Sequence, residues 1–484
     1  MLRKLMFLGL DLGTSGLKAV LIDDARRIVA EADAALTVSR PHDGWSEQAP
    51  ADWIAAAEAA LDALKAKADL SGVRGIGLSG QQHGATLLDA ADRPLRPCIL
   101  WNDTRAHVEA AAMTADADFR RITGNTIFAG FTAPKLAWVE THEPETFAQV
   151  ATVLLPKDYL RLWLTGEKAG DMSDCSGTGW LDVAGRAWSD ALLEKTRLTR
   201  DAMPRLVEGS EPSGTLRAAL AERWGMPGDV VVAGGGGDNA ASAVGVGVTV
   251  PGRAFLSLGT SGVLFAATNA HRPAPETAVH DFCHALPGLW HQMGVILAAA
   301  DALVWHARLL GSTPAALTEG LGALTAPGRC VFLPYLGGER TPLNSATIRG
   351  GFVGLDHGTD AAAATRAVLE GVAFAFRDCR DALAAAGTPI DSLLAVGGGA
   401  KSEYWMRAIA TALDAPLEIP EGAAVGGAYG AARLGMMAAT GVGAEIATPP
   451  AIAYAVEPDR ALVPAFDDGH ARFRAARDAI GALA

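Results

Sequence analysis

The pentapeptide Leu-Gly-Thr-Ser-Gly occurs twice in the chain, at residues 12–16 and again at 258–262. Each copy follows a short apolar run, at 6–10 or 254–256, and leads into another apolar segment. This pattern predicts two strands joined by a tight glycine turn. Gly-Thr-Ser-Gly is ordinary turn chemistry, so a single copy would indicate no more than a hairpin. Two copies indicate that the chain is built from two related units.

A second repeated pattern supports this duplication. The segments 229–233 and 392–396 are predicted strands, and they run into the glycine stretches 234–237 and 397–399. A predicted helix follows each stretch. Each unit is therefore expected to open with a hairpin and to end in a strand, a glycine run and a helix.

The two units predict two domains with a ligand cleft between them. The chain has 484 residues, of which 50% are hydrophobic and 20% charged. This composition is typical of a well-packed α/β enzyme, and the length exceeds what one core usually serves. We expect an N-terminal domain at 1–248 and a C-terminal domain at 249–484, with the site in the cleft.

The predicted units differ in their carboxylates. Aligning the hairpins sets Asp11 opposite Ser257, and aligning the glycine runs sets Asp238 opposite Ala400. Asp11 can hold Mg²⁺ directly or through water. Asp238 can accept the proton of an alcohol during phosphoryl transfer, although a helix N-cap is the alternative explanation. The first unit is therefore predicted to hold the metal and the acceptor.

The glycine turns are candidate phosphate sites. Backbone N–H groups and hydroxyls at Gly13, Thr14 and Ser15, and at Gly259 and Thr260, could hold a triphosphate from two sides. A pair of ordinary hairpins is the alternative.

A third candidate nucleotide contact opens the helix after the second glycine run. Gly398, Gly399 and Ser402 could contact the adenosine and the α-phosphate. The alternative is a helix start that needs no ligand.

Polar side chains follow the predicted strand at 75–78. Gln82 and His83 can bond sugar hydroxyls, Asn239 can orient the same sugar, and Trp101 offers an aromatic face. Taken singly, a loop histidine is more often structural and a tryptophan after an apolar run is more often in the core.

Charge and cysteine usage limit the partners. A net charge of −13 and a pI near 5.3 argue against nucleic acid as a partner. The five cysteines are scattered and are expected to be reduced thiols. The apolar run near the N-terminus ends at Asp11, and we find no uninterrupted apolar stretch of membrane-spanning length. We therefore expect a cytoplasmic protein.

Two other function classes fit parts of the sequence. The pattern Gly235-x-Gly237-x-x-Ala240 after a strand fits a loose dinucleotide fingerprint, but no acidic residue follows at the end of a next strand. No P-loop Gly-Lys-Ser/Thr is present. A non-catalytic actin-like sensor or filament protein is the alternative outside enzymes, against which the retention of Asp11 and Asp238 argues.

Together these motifs resemble the FGGY family of carbohydrate kinases over nearly the whole chain. Residues 11–15 look like its N-terminal phosphate motif, 130–142 resemble its first signature, and 334–342 belong to the stretch that contains its second. The resemblance implies two actin-like, ribonuclease-H-like domains that close around MgATP and a sugar.

The resemblance also implies roles for particular residues. Asp238 would be the catalytic base and Asp11 its partner at the metal. Gln82, His83 and Asn239 would contact the sugar, and Trp101 and Arg121 are carried over as further sugar contacts. The glycine-turn residues and Gly398, Gly399 and Ser402 would contact ATP.

The implied acceptor is a ketopentose, with D-xylulose converted to D-xylulose 5-phosphate. The pair Gln82-His83 is similar to that of xylulose-phosphorylating members, whereas glycerol-phosphorylating members have Arg-Glu there. Gluconate and ribulose stay open as acceptors, because one dipeptide cannot fix the stereochemistry of a polyol. A homodimer is the assembly we consider.

Overall fold

The computed structural model describes residues 4–388, 390, 392–421 and 426–482. Within these ranges the chain forms two mixed β-sheets of seven strands each, one in each half of the sequence. The duplicated α/β organisation predicted from the two hairpins is therefore confirmed.

The elements of the first half are, in chain order, β1 (Met6–Leu12), β2 (Gly16–Asp23), β3 (Ile28–Ala35), β4 (Glu47–Gln48), α1 (Pro50–Lys67), β5 (Val73–Gly80), β6 (Thr86–Leu88), β7 (Cys98–Ile99), α2 (His107–Ala115), α3 (Ala117–Thr123), α4 (Thr132–His142), α5 (Pro144–Phe147), β8 (Thr152–Leu154), α6 (Pro156–Thr165), β9 (Ala169–Asp171), α7 (Met172–Cys175), β10 (Leu181–Asp182), β11 (Ala187–Trp188), α8 (Asp190–Lys195), β12 (Arg205–Val207), β13 (Pro212–Thr215), α9 (Ala218–Trp224), β14 (Val231–Ala233), β15 (Gly236–Gly237) and α10 (Asp238–Val246).

The elements of the second half are β16 (Arg253–Leu258), β17 (Gly262–Thr268), β18 (His280–Cys283), β19 (Trp290–Ile296), α11 (Ala300–Leu309), α12 (Pro314–Glu319), β20 (Val331–Leu333), β21 (Gly351–Val353), α13 (Ala361–Ala385), β22 (Ser392–Val396), α14 (Glu403–Leu413), β23 (Leu417–Pro420), α15 (Gly427–Thr440), β24 (Ile452–Val456) and α16 (Val463–Gly481). Short 3-10 helices lie at Ser176–Thr178, Arg200–Ala202, Pro275–Thr277, Gly398–Lys401 and Ala444–Ile446.

The first sheet is built around the hairpin of β1 and β2. Its strand order is β13-β14-β5-β1-β2-β3, and β15 also pairs with β5. β1 runs antiparallel to β2 and parallel to β5. One face of the hairpin buries Leu8 and Leu10 in a core that α1 completes with Trp53 and Leu61. Burial of such side chains contributes about 1.5–3 kcal/mol each, which stabilises the sheet that carries the site.

The second sheet repeats this plan around the hairpin of β16 and β17. Its order is β18-β19-β17-β16-β22-β23-β24, with β16 antiparallel to β17 and parallel to β22. The core on one face includes Val368 and Phe376 of α13 and Trp405 of α14. Six strands of this sheet, β19 to β24 in the strand order, therefore have counterparts in the first, and β18 is an added edge strand.

The strand order corrects the alignment of the glycine runs. β22 lies beside β16 as β5 lies beside β1, so the counterpart of β14 is β23 and not β22. Asp238 opens α10 after β14, and its counterpart is therefore the start of α15, not Ala400. The alignment was wrong for a physical reason. A glycine run follows both β14 and β22, because the turn after each of these strands passes close to a neighbouring backbone. A Cβ on Gly235 would lie 2.2 Å from Leu78 O, and one on Gly397 would lie 2.7 Å from Leu258 O.

Helices α10 and α15 join the two halves. α10 of the first half buries Ala243 and Val246 against Phe255 and Phe265 of the second sheet. α15 of the second half packs on the first sheet, where a Cβ on Gly9 would come within 1.8 Å of Ala428 O. The domain boundary at residue 248 stays a prediction. Helix α15 follows this boundary in the sequence but packs on the first sheet, which the sequence did not indicate.

The first half also carries an insertion between β5 and β13. Elements β6 to α8 pack around a core of their own that includes Phe131 and Trp180, together with Phe282 of the second half. Among the helices of the described ranges, none is both long enough and apolar enough to cross a membrane.

Candidate active site

The ends of three neighbouring strands in the first sheet bring the two predicted carboxylates together. Asp11 of β1 is in register with Ser79 of β5, whose hydroxyl donates to Asp11 Oδ1 at 2.8 Å. On the other side of β5, Gly236 and Gly237 of β15 pair with Ser79 and Gly80. Asp238 follows at once as the first residue of α10. Asp11 and Asp238 therefore flank the same strand end.

The two carboxylates influence each other. Burial raises the pKa of Asp238 to about 7, and the charge of Asp11 adds to this rise. Asn239 opposes it, because its backbone N–H and its side-chain amide donate to Asp238 Oδ1 at 2.7 and 2.8 Å. Burial also raises the pKa of Asp11, against the hydrogen bond from Ser79 and the charge of Lys18. Each of the two carboxyl groups therefore releases its proton less readily than it would in water.

This donor set fits a divalent cation. Neither Asp11 nor Asp238 forms an ion pair with a basic side chain in the described part of the chain. Two carboxylates that repel each other and lack a counter-ion are stabilised by a hard cation with oxygen ligands. A Cβ on Gly427, the first residue of α15, would lie 2.9 Å from Asp11 Cγ, so only glycine leaves room there.

Gln82 lies directly beside this pair. A Cβ on Gly237 would come within 2.5 Å of Gln82 Nε2, and this amide donates weakly to Ser173 O at 3.5 Å. Gln82 is therefore held against the segment that presents Asp238.

His83 is fixed in one orientation. Its φ is +69°, its ring stacks on Phe131 at 4.7 Å, and Lys135 Nζ donates to its carbonyl at 2.9 Å. Nδ1 lies 2.7 Å from Gly177 O, which can only accept, so Nδ1 carries the proton and Nε2 keeps its lone pair. Burial lowers the pKa of His83 to about 3, with the charge of Lys135 adding to the effect. The ring is neutral at physiological pH and can accept a hydroxyl proton at Nε2.

Trp101 is tied to the first glycine turn. Its Nε1 donates to Thr14 Oγ1 at 3.0 Å, and Thr14 Oγ1 donates to Gln81 Oε1 at 2.9 Å. The Thr14 hydroxyl is therefore engaged in holding the turn against Trp101. In the same turn Gly13 N donates to Gly16 O at 2.9 Å and Ser15 is exposed.

The second glycine turn precedes a helix. Ala300 N donates to Gly259 O at 2.8 Å and Ala299 N donates to Thr260 O at 2.9 Å, which orders the start of α11. Thr260 itself is exposed.

Gly398 and Gly399 lie next to this second turn, since a Cβ on Gly399 would lie 2.5 Å from Leu258 Cγ. Gly398 is exposed with open space around it. Ser402 accepts from Trp405 N at 3.4 Å as the N-cap of α14. Ser402 and Tyr404 also line a cavity of about 480 Å³ together with the segment 318–323.

Arg121 forms no hydrogen bond or ion pair with another predicted site residue within the described ranges. It lies on α3 with 69% of its side chain exposed and pairs with Asp118 at 2.8 Å. The predicted residues Gly259, Thr260 and Gly399 of the second half group around the end of β16.

The chain matches the model of the FGGY family of carbohydrate kinases, with its N-terminal domain at residues 6–245 and its C-terminal domain at 254–439. The chain belongs to this family. The expected fold of two actin-like α/β domains and the expected ATP-dependent sugar kinase activity are thereby confirmed.

Named relatives agree with the family. The chain is 51% identical over 437 residues to the xylulose kinase of Escherichia coli (strain K12), covering 90% of each chain. The crystal structure of a xyloylose kinase from Brucella ovis is similar with a TM-score of 0.97 and 60% identity, covering 99% of this chain and 100% of that one. The xylulose kinase from Rhodospirillum rubrum has a TM-score of 0.91 at 31% identity, covering 99% of each.

Several residues that support the site in this family member were missed from the sequence. Ser79 could have been found, because it ends a strand predicted to lie near Asp11. Ser173 and Arg161 gave no signal, because only folding brings them behind the glycine segment. Ser173 Oγ accepts from Gly237 N at 3.2 Å, and Arg161 donates to the carbonyls of residues 233 and 234 at 2.5 Å. These buried contacts hold the backbone that presents Asp238.

Proposed function

We propose that the protein transfers the γ-phosphoryl group of ATP to D-xylulose and forms D-xylulose 5-phosphate. The observation that carries the transfer step is the pair of Asp11 and Asp238 at one strand end, without a basic partner within the described ranges. The choice of sugar is supported by the pair Gln82-His83 and by the xylulose kinases to which the chain is similar.

Asp238 is the proposed general base. A carboxyl whose pKa lies near neutrality can take the proton of the attacking hydroxyl and still be ionised in enough molecules at pH 7 to 8. Asn239 holds the carboxylate through Oδ1, which leaves Oδ2 to face the hydroxyl. The proton then moves from the C5 hydroxyl to Asp238 as the new P–O bond forms, while the bond from the γ-phosphorus to the bridging oxygen breaks and ADP leaves.

Asp11 and Asp238 are the proposed ligands of Mg²⁺. The ion, when bound with ATP, neutralises charge that develops on the phosphoryl oxygens. Ser79 keeps Asp11 oriented through its hydrogen bond to Oδ1.

The proposed sugar contacts are Gln82, His83, Trp101 and Asn239. His83 Nε2 accepts from a hydroxyl because the ring is neutral and its other nitrogen is occupied. Trp101 supplies a flat face at the mouth of the cleft and lines a cavity of about 860 Å³. Arg121 is left out of this set because of its exposed position.

The proposed nucleotide contacts run from the first sheet to the second. Gly13, Thr14 and Ser15 offer backbone N–H groups on one side of the triphosphate, and Gly259 and Thr260 do so on the other. Gly398, Gly399 and Ser402 contact the nucleoside, and the cavity beside Ser402 is large enough for a base and a ribose.

Two further properties are proposed, the compartment and the assembly. The free cysteines of the described chain are all buried, which suits a reducing compartment such as the cytoplasm. A homodimer stays a prediction, which sedimentation at several protein concentrations would test.

A coupled assay of ADP release tests the proposed function. The acceptors are D-xylulose, L-ribulose, D-gluconate and glycerol, each at the same concentrations, with a reaction lacking acceptor as the baseline. We expect D-xylulose to give the highest kcat/KM. A higher value for D-gluconate or L-ribulose would reassign the sugar, and no acceptor-dependent ADP release would favour the sensor function.

A further inference from the structure

A turn of the second half reaches the cleft on the side of the sugar residues. Residues 337–346 line the cavity of about 860 Å³ together with Trp101 and the segment 127–130 of the first half. Glu339 and Arg340 lie in this turn. Neither belongs to the set of site residues described above, which places every sugar contact in the first half.

The turn is firmly anchored. Glu339 and Ser345 exchange backbone hydrogen bonds of 2.8 and 2.9 Å, and Asn344 N donates to Arg340 O at 2.6 Å. On the far side, Thr341 N donates to Val295 O at 3.0 Å, and the Thr341 hydroxyl donates to Ala278 O at 3.1 Å. Arg340 is thus held at a fixed place by β19 and by its own turn.

Glu339 is part of this anchor, and within the described residues its carboxyl forms no ion pair with the Arg340 guanidinium. It is 3% exposed, and its Oε1 accepts from Leu297 N at 3.0 Å and from Arg340 N at 2.7 Å. Its Oε2 is buried without a hydrogen-bond partner, and the residue borders the cavity. Burial raises the pKa of Glu339 to about 8, and the charge of Arg340 opposes this rise.

The guanidinium of Arg340 lacks polar partners. Throughout the described residues it forms no side-chain hydrogen bond and no ion pair, and its contact is the ring of Phe128, 4.8 Å from Cζ. A guanidinium carries five N–H donors, and those of Arg340 are accessible in the cavity, since none of them is a fully buried atom. The arrangement therefore suits a ligand that is rich in oxygen acceptors.

Ring contacts connect Arg340 with the sugar residues. Phe128 lies edge-on to Phe131 at 5.6 Å, and Phe131 stacks on His83 at 4.7 Å. Two aromatic rings, those of Phe128 and Phe131, therefore connect Arg340 with the histidine that faces the sugar. The charge of Arg340 also contributes to the lowered pKa of His83, which agrees with this proximity.

We propose that Arg340 binds the sugar from across the cleft, by donating hydrogen bonds to oxygen atoms of the bound polyhydroxy ketone. Its role complements that of His83: a sugar hydroxyl can donate to His83 Nε2, and sugar oxygens can accept from the guanidinium. The sugar site is then completed by the second half of the chain. This inference rests on the proposed function, because the ligand it names is the acceptor of that reaction.

Arg340→Gln and Arg340→Lys test this role in the full-length protein, with Arg329→Gln as the matched control on an exposed arginine of the same half. Hydrogen bonds to a charged donor are strong enough that Arg340→Gln should raise KM for D-xylulose about ten-fold or more. KM for MgATP and the ADP release without acceptor should stay within about two-fold. Arg340→Lys keeps the charge but loses the fork of donors, so its KM should lie between those of the wild type and Arg340→Gln.

Three results would overturn the inference. One is a KM for D-xylulose within two-fold of the wild type in both variants. Another is an equal rise in KM for D-xylulose and MgATP, which would indicate a loosened cleft. The third is an unchanged KM with weaker inhibition by D-xylulose 5-phosphate, which would assign Arg340 to the product phosphate. If Arg340→Gln fails to fold, Arg340→Lys decides. Turnover of D-xylulose by the wild-type protein in the same assays distinguishes the two failures. If the wild type turns over D-xylulose and a result above is obtained, the inference fails while the proposed function stands.

Discussion

At the end of its central strand the first sheet presents Asp11, whereas the second sheet presents Ser257 at the equivalent place. The neighbouring strands differ in the same way, because Asp11 lies beside Ser79 while Ser257 lies beside Val396. The strand orders of the two sheets are equivalent over six strands, from β3 to β13 in the first and from β19 to β24 in the second. The same scaffold therefore has an acidic residue at the strand end in the first copy and an uncharged residue there in the second.

The helices that follow show the same contrast. α10 begins with Asp238, whereas its counterpart α15 begins with Gly427, which packs against Asp11. Both helices direct their N-termini, where partial positive charge gathers, to the same region. The comparison teaches that the duplicated fold supplies the strand ends and helix starts, and that a few side chains give the first copy carboxylates at places where the second copy has none.

Removal of the carboxylate at α10 is the strongest way to break this contrast. Asp238→Asn should lower kcat for D-xylulose by about 10²–10⁴-fold, because the hydroxyl then lacks its base. MgATP affinity, measured by calorimetry, should fall far less than kcat, because Asp11 and the phosphate oxygens still hold the ion. Asp190→Asn is the matched control, since Asp190 is also the first residue of a helix but is exposed. Full activity of Asp238→Asn would refute the assignment.

Asp11→Asn should have the next largest effect. The amide is a weaker magnesium ligand, so the Mg²⁺ concentration for half-maximal rate should rise and kcat should fall by about 10–100-fold, an order-of-magnitude expectation for a charged ligand. Titration of the rate with Mg²⁺ at fixed ATP measures this. An unchanged Mg²⁺ dependence would remove Asp11 from the metal site.

Asp238→Asn should also stabilise the protein. Burial and Asp11 raise the pKa of Asp238 to about 7 in the folded state, whereas an unfolded aspartate titrates near its ordinary pKa of about 3.9. Between these values the folded state binds more protons, so ionisation costs stability as the pH rises. The gain in Tm from Asp238→Asn should therefore grow from pH 4 to pH 7 and then level off, at about 2–4 °C or more. A gain that is largest at pH 4 would contradict this sign.

A carboxylate placed in the second copy should have the smallest effect. Ser257→Asp restores the acidic strand end there, close to the proposed site of the triphosphate. Repulsion should raise KM for MgATP by about two- to five-fold, the size expected of one partly screened charge pair, while KM for D-xylulose stays unchanged. An equal rise in KM for D-xylulose would contradict the proposal that this strand end lies near the triphosphate and away from the sugar.

Much of the fold followed from local patterns. The two hairpins are marked by the repeated pentapeptide, and β22 and α14 follow their predicted segments closely. The sequence did not predict which strand lies beside the central hairpin. The glycine runs at 234–237 and 397–399 have similar compositions, but they follow strands at different places in the two sheets. Pairing between distant strands is a property of the folded chain and has no local signature.

Part of the site was also predicted from the sequence. Asp11 and Asp238 stood out because the second copy lacks a carboxylate at either place, and this stays true for Asp238 when it is compared with the start of α15 instead of Ala400. Arg340 was part of a quoted motif but received no role, because its lack of partners is visible only in three dimensions. Arg121 was carried over from a motif, whereas the fold leaves it on an exposed helix face.

The pH dependence of the reaction tests the pairing of Asp11 with Asp238 most directly. With both substrates well below their KM values, the rate should rise with unit slope and level off with a midpoint at a pH of about 7, the pKa of Asp238 in the free protein. In Asp11→Asn the midpoint should move to lower pH, because the repelling charge is gone. A flat profile in the wild type, or an unchanged midpoint in Asp11→Asn, would contradict the account.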